Sequence, residues 1–147
     1  MILKILIEIW QKQDITHVPS DMSYLPKSKS DIHITPDRVY EIIRLVWGIT
    51  DLFDPCPLDP KFNGLVIKWR DYNFVNPPYT LTTEFVIKAF MELIFNGSKT
   101  IMLLPAKTDQ TFFHMLQGLD IVWIRGRLKF KNDKWSAPQP HFLVMIE

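Results

Sequence analysis

The chain has 147 residues, 47% apolar and 22% charged, the balance of one soluble, cytosolic globular domain with a single core and little room for a second. No segment reaches the length of a membrane span. The one cysteine, Cys56, excludes an internal disulfide, and no set of Cys and His residues has metal-ligand spacing.

Along the chain, Met1 to Trp10 is apolar but interrupted by Lys4 and Glu8, with no small-residue cleavage site after it. That pattern predicts a core element or an oligomer contact, not a signal peptide. Residues 11–34 are polar, with Pro19, Pro26 and the run Lys27 to Ser30, and predict a linker or arm. The expected division is therefore 1–30 for this apolar element and arm and 31–147 for the compact domain. Thr35-Pro36-Asp37 predicts a helix start, with Thr35 as cap and Pro36 at the first helical position; Val39, Ile42, Ile43, Val46 and Trp47 recur on one face up to Gly48. A short strand is expected over Asp51–Asp54, stopped by Pro55 and Pro57, and another over Tyr72–Val75.

A helix through Phe85, Val86, Ala89, Phe90, Leu93 and Ile94, closed by Gly97, then leads to a strand over Thr100–Leu104. Thr108 or Asp109 can cap a third helix ending at Gly118, and strands follow at Asp120–Ile124 and Phe142–Ile146. Alternating strands and helices predict an open α/β sheet with ligands at the carboxyl ends of its strands, where Asp54 and Asn76 both fall.

The net charge of +1 leaves nucleic acid open by its sum, but its distribution is uneven. Arg125, Arg127, Lys129, Lys131 and Lys134 fall within ten residues, whereas Asp51, Asp54 and Asp59 form an acidic stretch. Each run taken alone suits a solvated face; together they suit a phosphate backbone near one and a cationic cofactor near the other.

The most informative segment is Phe74-Val75-Asn76-Pro77-Pro78-Tyr79. An exocyclic amine such as adenine N6 has its lone pair drawn into the ring, so an enzyme alkylating it must accept its N–H bonds and hold it against an electrophile. The Asn76 carboxamide oxygen and the Pro77 carbonyl can accept those protons, and Tyr79 offers a face for the base. Pro77 and Pro78 fix two φ angles and stiffen the loop. An ordinary strand-ending turn uses the same residue types.

From about residue 31 onward the chain resembles the phage-type DNA N6-adenine methyltransferases, small Dam-like enzymes dependent on S-adenosylmethionine. The resemblance runs in order through Thr35-Pro36, Phe53-Asp54-Pro55-Cys56, Asn63-Gly64-Leu65 with Trp69, and the segment 74–79. It continues through 103–109, Phe113-His114, Ile124 to Phe130 and Ala137-Pro138-Gln139-Pro140. Asn-Pro-Pro-Tyr alone also occurs in RNA guanine and protein glutamine methyltransferases, whereas Arg-Gly-Arg-Leu-Lys-Phe with Ala-Pro-x-Pro is specific to the phage DNA group.

The resemblance implies a catalytic loop of Asn76, Pro77, Pro78 and Tyr79. It implies S-adenosylmethionine contacts from Thr35, Pro36, Asp54, Pro55 and Cys56, with the Asp54 carboxylate meeting the methionine ammonium. Lys107 and Thr108 are expected along the target pocket, and Arg125, Arg127 and Lys129 on DNA phosphates. Cys56 suits a small buried residue, since the reaction forms no enzyme adduct.

The chain also departs from the family. His33 stands where an aromatic is usual, Asn63 where Asp is usual, and Lys107 where Arg is common. His33 and His114 suit surface or packing roles. Twenty-one residues separate Asp54 from Asn76, so at least one strand–helix unit of a full sheet must be missing. The expected fold is thus a shortened Rossmann-like S-adenosylmethionine-dependent methyltransferase sheet, with room for a second subunit to help hold the adenosine end. Methylation of an RNA base or protein glutamine, and a non-catalytic relative binding nucleic acid or a partner protein, remain the alternatives to DNA methylation.

Overall fold

The computed structural model describes residues 33–147. The expectations for the apolar N-terminal run, the polar arm and the boundary at residue 30 lie outside those residues.

The first helix, α1 (Asp37–Trp47), begins one residue later than its sequence signal, with Pro36 at the cap position and no side chain capping it. Thr35 is not the cap, because its hydroxyl accepts a hydrogen bond from Asn76 instead. Val39 and Ile43 are fully buried four residues apart, while Val46, expected on the same face, is 48% exposed. Gly48 ends the helix at φ 69°, a left-handed conformation cheap only for glycine, and returns its N–H to the Arg44 carbonyl. The Trp47 Nε1–H donates to Asp120 at 2.7 Å, fastening this end to the far side of the sheet.

The strand expected over Asp51–Asp54 is reduced to one parallel bridge, Phe53 to Asn73. Pro55 and Pro57 deny the backbone donors that a longer ladder needs. Its two bonds, Phe53 N–H to the Tyr72 carbonyl and Phe74 N–H to the Phe53 carbonyl, still set Asp54 beside the end of β1 (Tyr72–Val75). A 3-10 turn (Tyr79–Leu81) then feeds α2 (Thr82–Asn96), which packs Phe85, Val86 and Ala89 with no exposure. After β2 (Lys99–Pro105) comes α3 (Thr111–Met115), shorter than expected and started at Gln110 without a side-chain cap, so neither Thr108 nor Asp109 caps it.

With β3 (Asp120–Trp123) and β4 (His141–Ile146), the sheet is open and four-stranded, ordered β1-β2-β4-β3. β1 and β2 are parallel; β4 is antiparallel to both β2 and β3. β4 is buried along its whole length, as a central strand covered on both faces must be. Val75, Met102, Leu104, Phe142 and Val144 face α2 and α3. Phe74, Ile101, Leu103, Leu143 and Met145 face α1 and the segment carrying Ile124, Leu128, Phe130 and Ala137. Because β1, β2 and β3 run the same way and β4 the other, Asn76, Ala106, Ile124 and the start of β4 at His141 all lie at one edge of the sheet.

Among the described residues no helix is long and apolar enough to cross a membrane.

Candidate active site

The loop Asn76 to Tyr79 continues directly from the end of β1. Pro77 and Pro78 are buried; the turn closes through Leu81 N–H to the Pro78 carbonyl at 2.9 Å. The Thr82 hydroxyl caps the Pro78 and Tyr79 carbonyls at 3.4 and 3.2 Å, leaving the Pro77 carbonyl out of these bonds.

Asn76 donates from Nδ2 to the His33 carbonyl at 2.9 Å and to Thr35 Oγ1 at 3.1 Å. A backbone carbonyl can only accept, so these partners fix which way the amide points. Among the described residues no protein group donates to Oδ1, and that oxygen is left as an oriented acceptor.

The Tyr40 hydroxyl lies beside Thr35, and its ring packs on Phe74 with centroids 5.0 Å apart. Burial raises the Tyr40 hydroxyl above its ordinary range, and the Asp54 charge raises it further. Tyr40 thus ties the Asp54 side of the site to the Asn76 side, a link the sequence reading missed because Tyr40 lies off the apolar stripe of α1.

Asp54 Oδ1 accepts the Cys56 N–H at 2.8 Å. Burial pushes its carboxyl up to about 6, against the lowering effect of that N–H. Asp54 makes no ion pair among the described residues. Burial, then the Asp54 charge, pushes the Cys56 thiol up to about 12, so Cys56 stays a neutral packing group.

The turn Asn63-Gly64-Leu65 is clasped to this segment. A Cβ on Gly64 would lie 1.9 Å from the Pro55 carbonyl oxygen, so only glycine permits the approach. Asn63 Oδ1 accepts the Leu65 N–H at 3.0 Å, and Trp69 Nε1–H donates to the Gly64 carbonyl at 2.7 Å. The asparagine that replaces the usual aspartate therefore caps its own turn.

Tyr79 is positioned from two sides. Its hydroxyl lies 3.1 Å from His141 Nε2, and His141 Nδ1 lies 3.2 Å from the Gln139 carbonyl. That carbonyl requires the proton on Nδ1, so Nε2 accepts from the tyrosine. Burial above all lowers His141 to about 4, which keeps it neutral and accepting at ordinary pH. His33 packs against the Tyr79 ring at 4.8 Å and bonds Asp133 at 3.0 Å through Nδ1, while Lys107 Nζ sits 5.5 Å over the same ring.

His33 was expected at the surface or in packing; it packs, but inside the site. His141 was not singled out, although its place directly after Pro140 marks it as the first residue of a strand. His114 bonds the exposed Thr108 carbonyl at 2.7 Å.

Arg125, Arg127 and Lys129 are exposed, alternating with buried Leu128 and Phe130. None of the three makes an ion pair among the described residues, whereas Lys131 is held by Asp37 at 2.6 Å. Arg38 donates to the Arg125 carbonyl at 2.9 Å. Asp133, just beyond this stretch, bonds His33, which packs on the Tyr79 ring.

Comparison with known proteins bears on this geometry. No solved structure matches the chain. A DNA N-6-adenine-methyltransferase of Haemophilus phage HP1 (strain HP1c1) is 26% identical, the match covering 82% of this chain and 81% of that protein. The model of the DNA N-6-adenine-methyltransferase (Dam) family matches residues 22–141. A match over most of the chain, spanning the Asn76 loop, Asp54 and the basic stretch, shows that the protein belongs to the DNA N-6-adenine-methyltransferase (Dam) family of enzymes.

Proposed function

We propose that this protein transfers a methyl group from S-adenosylmethionine to N6 of an adenine turned out of the DNA stack, on a shortened Rossmann-like sheet in a methyltransferase domain bounded at 31–147. The observation that carries the reading is the Asn76 amide. Its nitrogen is spent on His33 and Thr35, so its oxygen is held ready to accept an amine N–H without reorganisation. The Pro77 carbonyl accepts the second N–H, and Tyr79, braced by His141, supplies a stacking surface. Flipping costs a few kcal/mol, and stacking at about 1–3 kcal/mol offsets much of it.

The donor set suits S-adenosylmethionine: a partly buried carboxylate raised to about 6 and lacking an ion pair among the described residues is stabilised by an incoming ammonium. Asp54 meets that ammonium, Pro55 and Cys56 shape the turn beside it, and Pro36 and Thr35 close the site from the α1 side. When bound, the cofactor supplies an electrophilic methyl on a cationic sulfur, which the amine takes by in-line displacement. Asn76 carries no charge and serves no base; it orients and polarises the amine, whose proton leaves once methylation has made it acidic. Lys107 and Thr108 flank the pocket, and Arg125, Arg127 and Lys129 contact phosphates.

Tritiated methyl transfer to DNA, RNA and protein, assayed separately, tests this reading. Label confined to adenine N6 in DNA supports it, and label in RNA or glutamine alone refutes it.

A further inference from the structure

One aromatic side chain beside Tyr79 has no part in the chemistry above. An open cleft is lined by His33, Tyr79 and the loop from Asp133 to Pro138, with Trp135 in its wall. Trp135 is 74% exposed, whereas Trp69 is buried and Trp123, though 58% exposed, packs on Phe113 and Phe142. Among the described residues its ring meets no other aromatic. A cation lies over it, Lys134 Nζ at 5.3 Å from the centroid.

We infer that Trp135 is the outer wall of the target-base cleft, closing an extrahelical adenine between its indole and Tyr79. The inference rests on the reading of the chain as a DNA adenine methyltransferase. A purine presents two flat faces, and His33 already occupies part of the contact surface of Tyr79, so a second ring in the same cleft supplies what Tyr79 alone lacks. An indole left in water is a poor core residue but a good stacking platform, since every base has a π-face and the contact tolerates any sequence around it. The cations agree in place. Lys134 adjoins the indole, and Arg127 and Lys129 are exposed on the segment leading to it, where the backbone delivering the base would pass.

The experiment uses a DNA site that the wild-type protein methylates, prepared with adenine or with an abasic residue at the target position. Trp135→Ala should bind the adenine DNA about tenfold more weakly, with KM for DNA rising by a similar factor and kcat changing less. Trp135→Phe should recover most of the loss. On abasic DNA the wild-type protein and Trp135→Ala should bind alike, because no base remains to be covered. Equal losses on both DNAs would overturn the inference and make Trp135 a wedge in the duplex; no loss on adenine DNA would overturn it outright. The ratio of affinities for the two DNAs is taken within each variant, so reduced folding of one variant leaves the comparison intact. Wild-type protein that methylates no DNA at all would sink the underlying activity; methylation with an indifferent Trp135 sinks only the wall.

Discussion

Replacing Asp54 by asparagine should separate cofactor binding from folding. The new side chain keeps an oxygen for the Cys56 N–H, 2.8 Å away in the parent, and removes the charge. Burial raises the carboxyl from 3.8 to about 6, so the folded protein holds that proton more tightly than the unfolded chain. The ionised group therefore destabilises the fold above about pH 6, and this penalty fades as pH falls towards 4. At 1.36 kcal/mol per unit the shift corresponds to about 3 kcal/mol, or about 2 kcal/mol once residual solvent contact is discounted. Asp54→Asn should thus melt at the same or a higher temperature than wild type at pH 7.5.

S-adenosylmethionine should respond in the opposite direction. Loss of a charge-assisted bond worth about 1.5–3 kcal/mol weakens binding about ten- to hundredfold. Wild-type affinity should also fall about tenfold per unit below pH 6, as protonation removes the partner of the ammonium, while the variant stays flat. Calorimetric titration between pH 5 and 8, beside thermal melts, measures both. A variant that binds the cofactor as tightly as wild type, with the same pH profile, would refute the role given to Asp54.

Asn76→Ala should cut methyl transfer about a hundredfold or more with cofactor affinity nearly intact; near-normal turnover in the tritium assay removes the catalytic reading of the loop. Gly64→Ala should destabilise the fold by about 2 kcal/mol or more and weaken cofactor binding, because the Pro55 carbonyl must move from a Cβ otherwise 1.9 Å away; an unchanged melting curve would contradict the clasp. Replacing Arg125, Arg127 and Lys129 by Ala should weaken binding to all DNA sequences alike and reduce the salt slope by roughly one unit per phosphate contact. Affinity and slope both unchanged would show these charges to be a solvated face.

What the sequence by itself determined was local. The α1 stripe, the glycine stop at Gly48, the β1–α2–β2 unit and the stiff Asn76 to Tyr79 loop follow from periodicity, proline geometry and residue chemistry within a few positions of one another. Asp54 was legible for the same reason, as an acid at the end of an apolar run. The tertiary structure decided whatever depends on partners far along the chain. The amide of Asn76 takes its orientation from residues 43 and 41 positions away, and Tyr79 takes its brace from a histidine 62 positions away; no local pattern encodes such pairs. The same holds for Thr35, which reads as a helix cap until the hydroxyl finds Asn76, and for the strand at Phe53, which two prolines shorten to one bridge. Even the reversed direction of β4, which brings His141 to the same edge as Asn76, is set by which neighbours bury both its faces, because an apolar run is equally satisfied in a parallel or an antiparallel ladder.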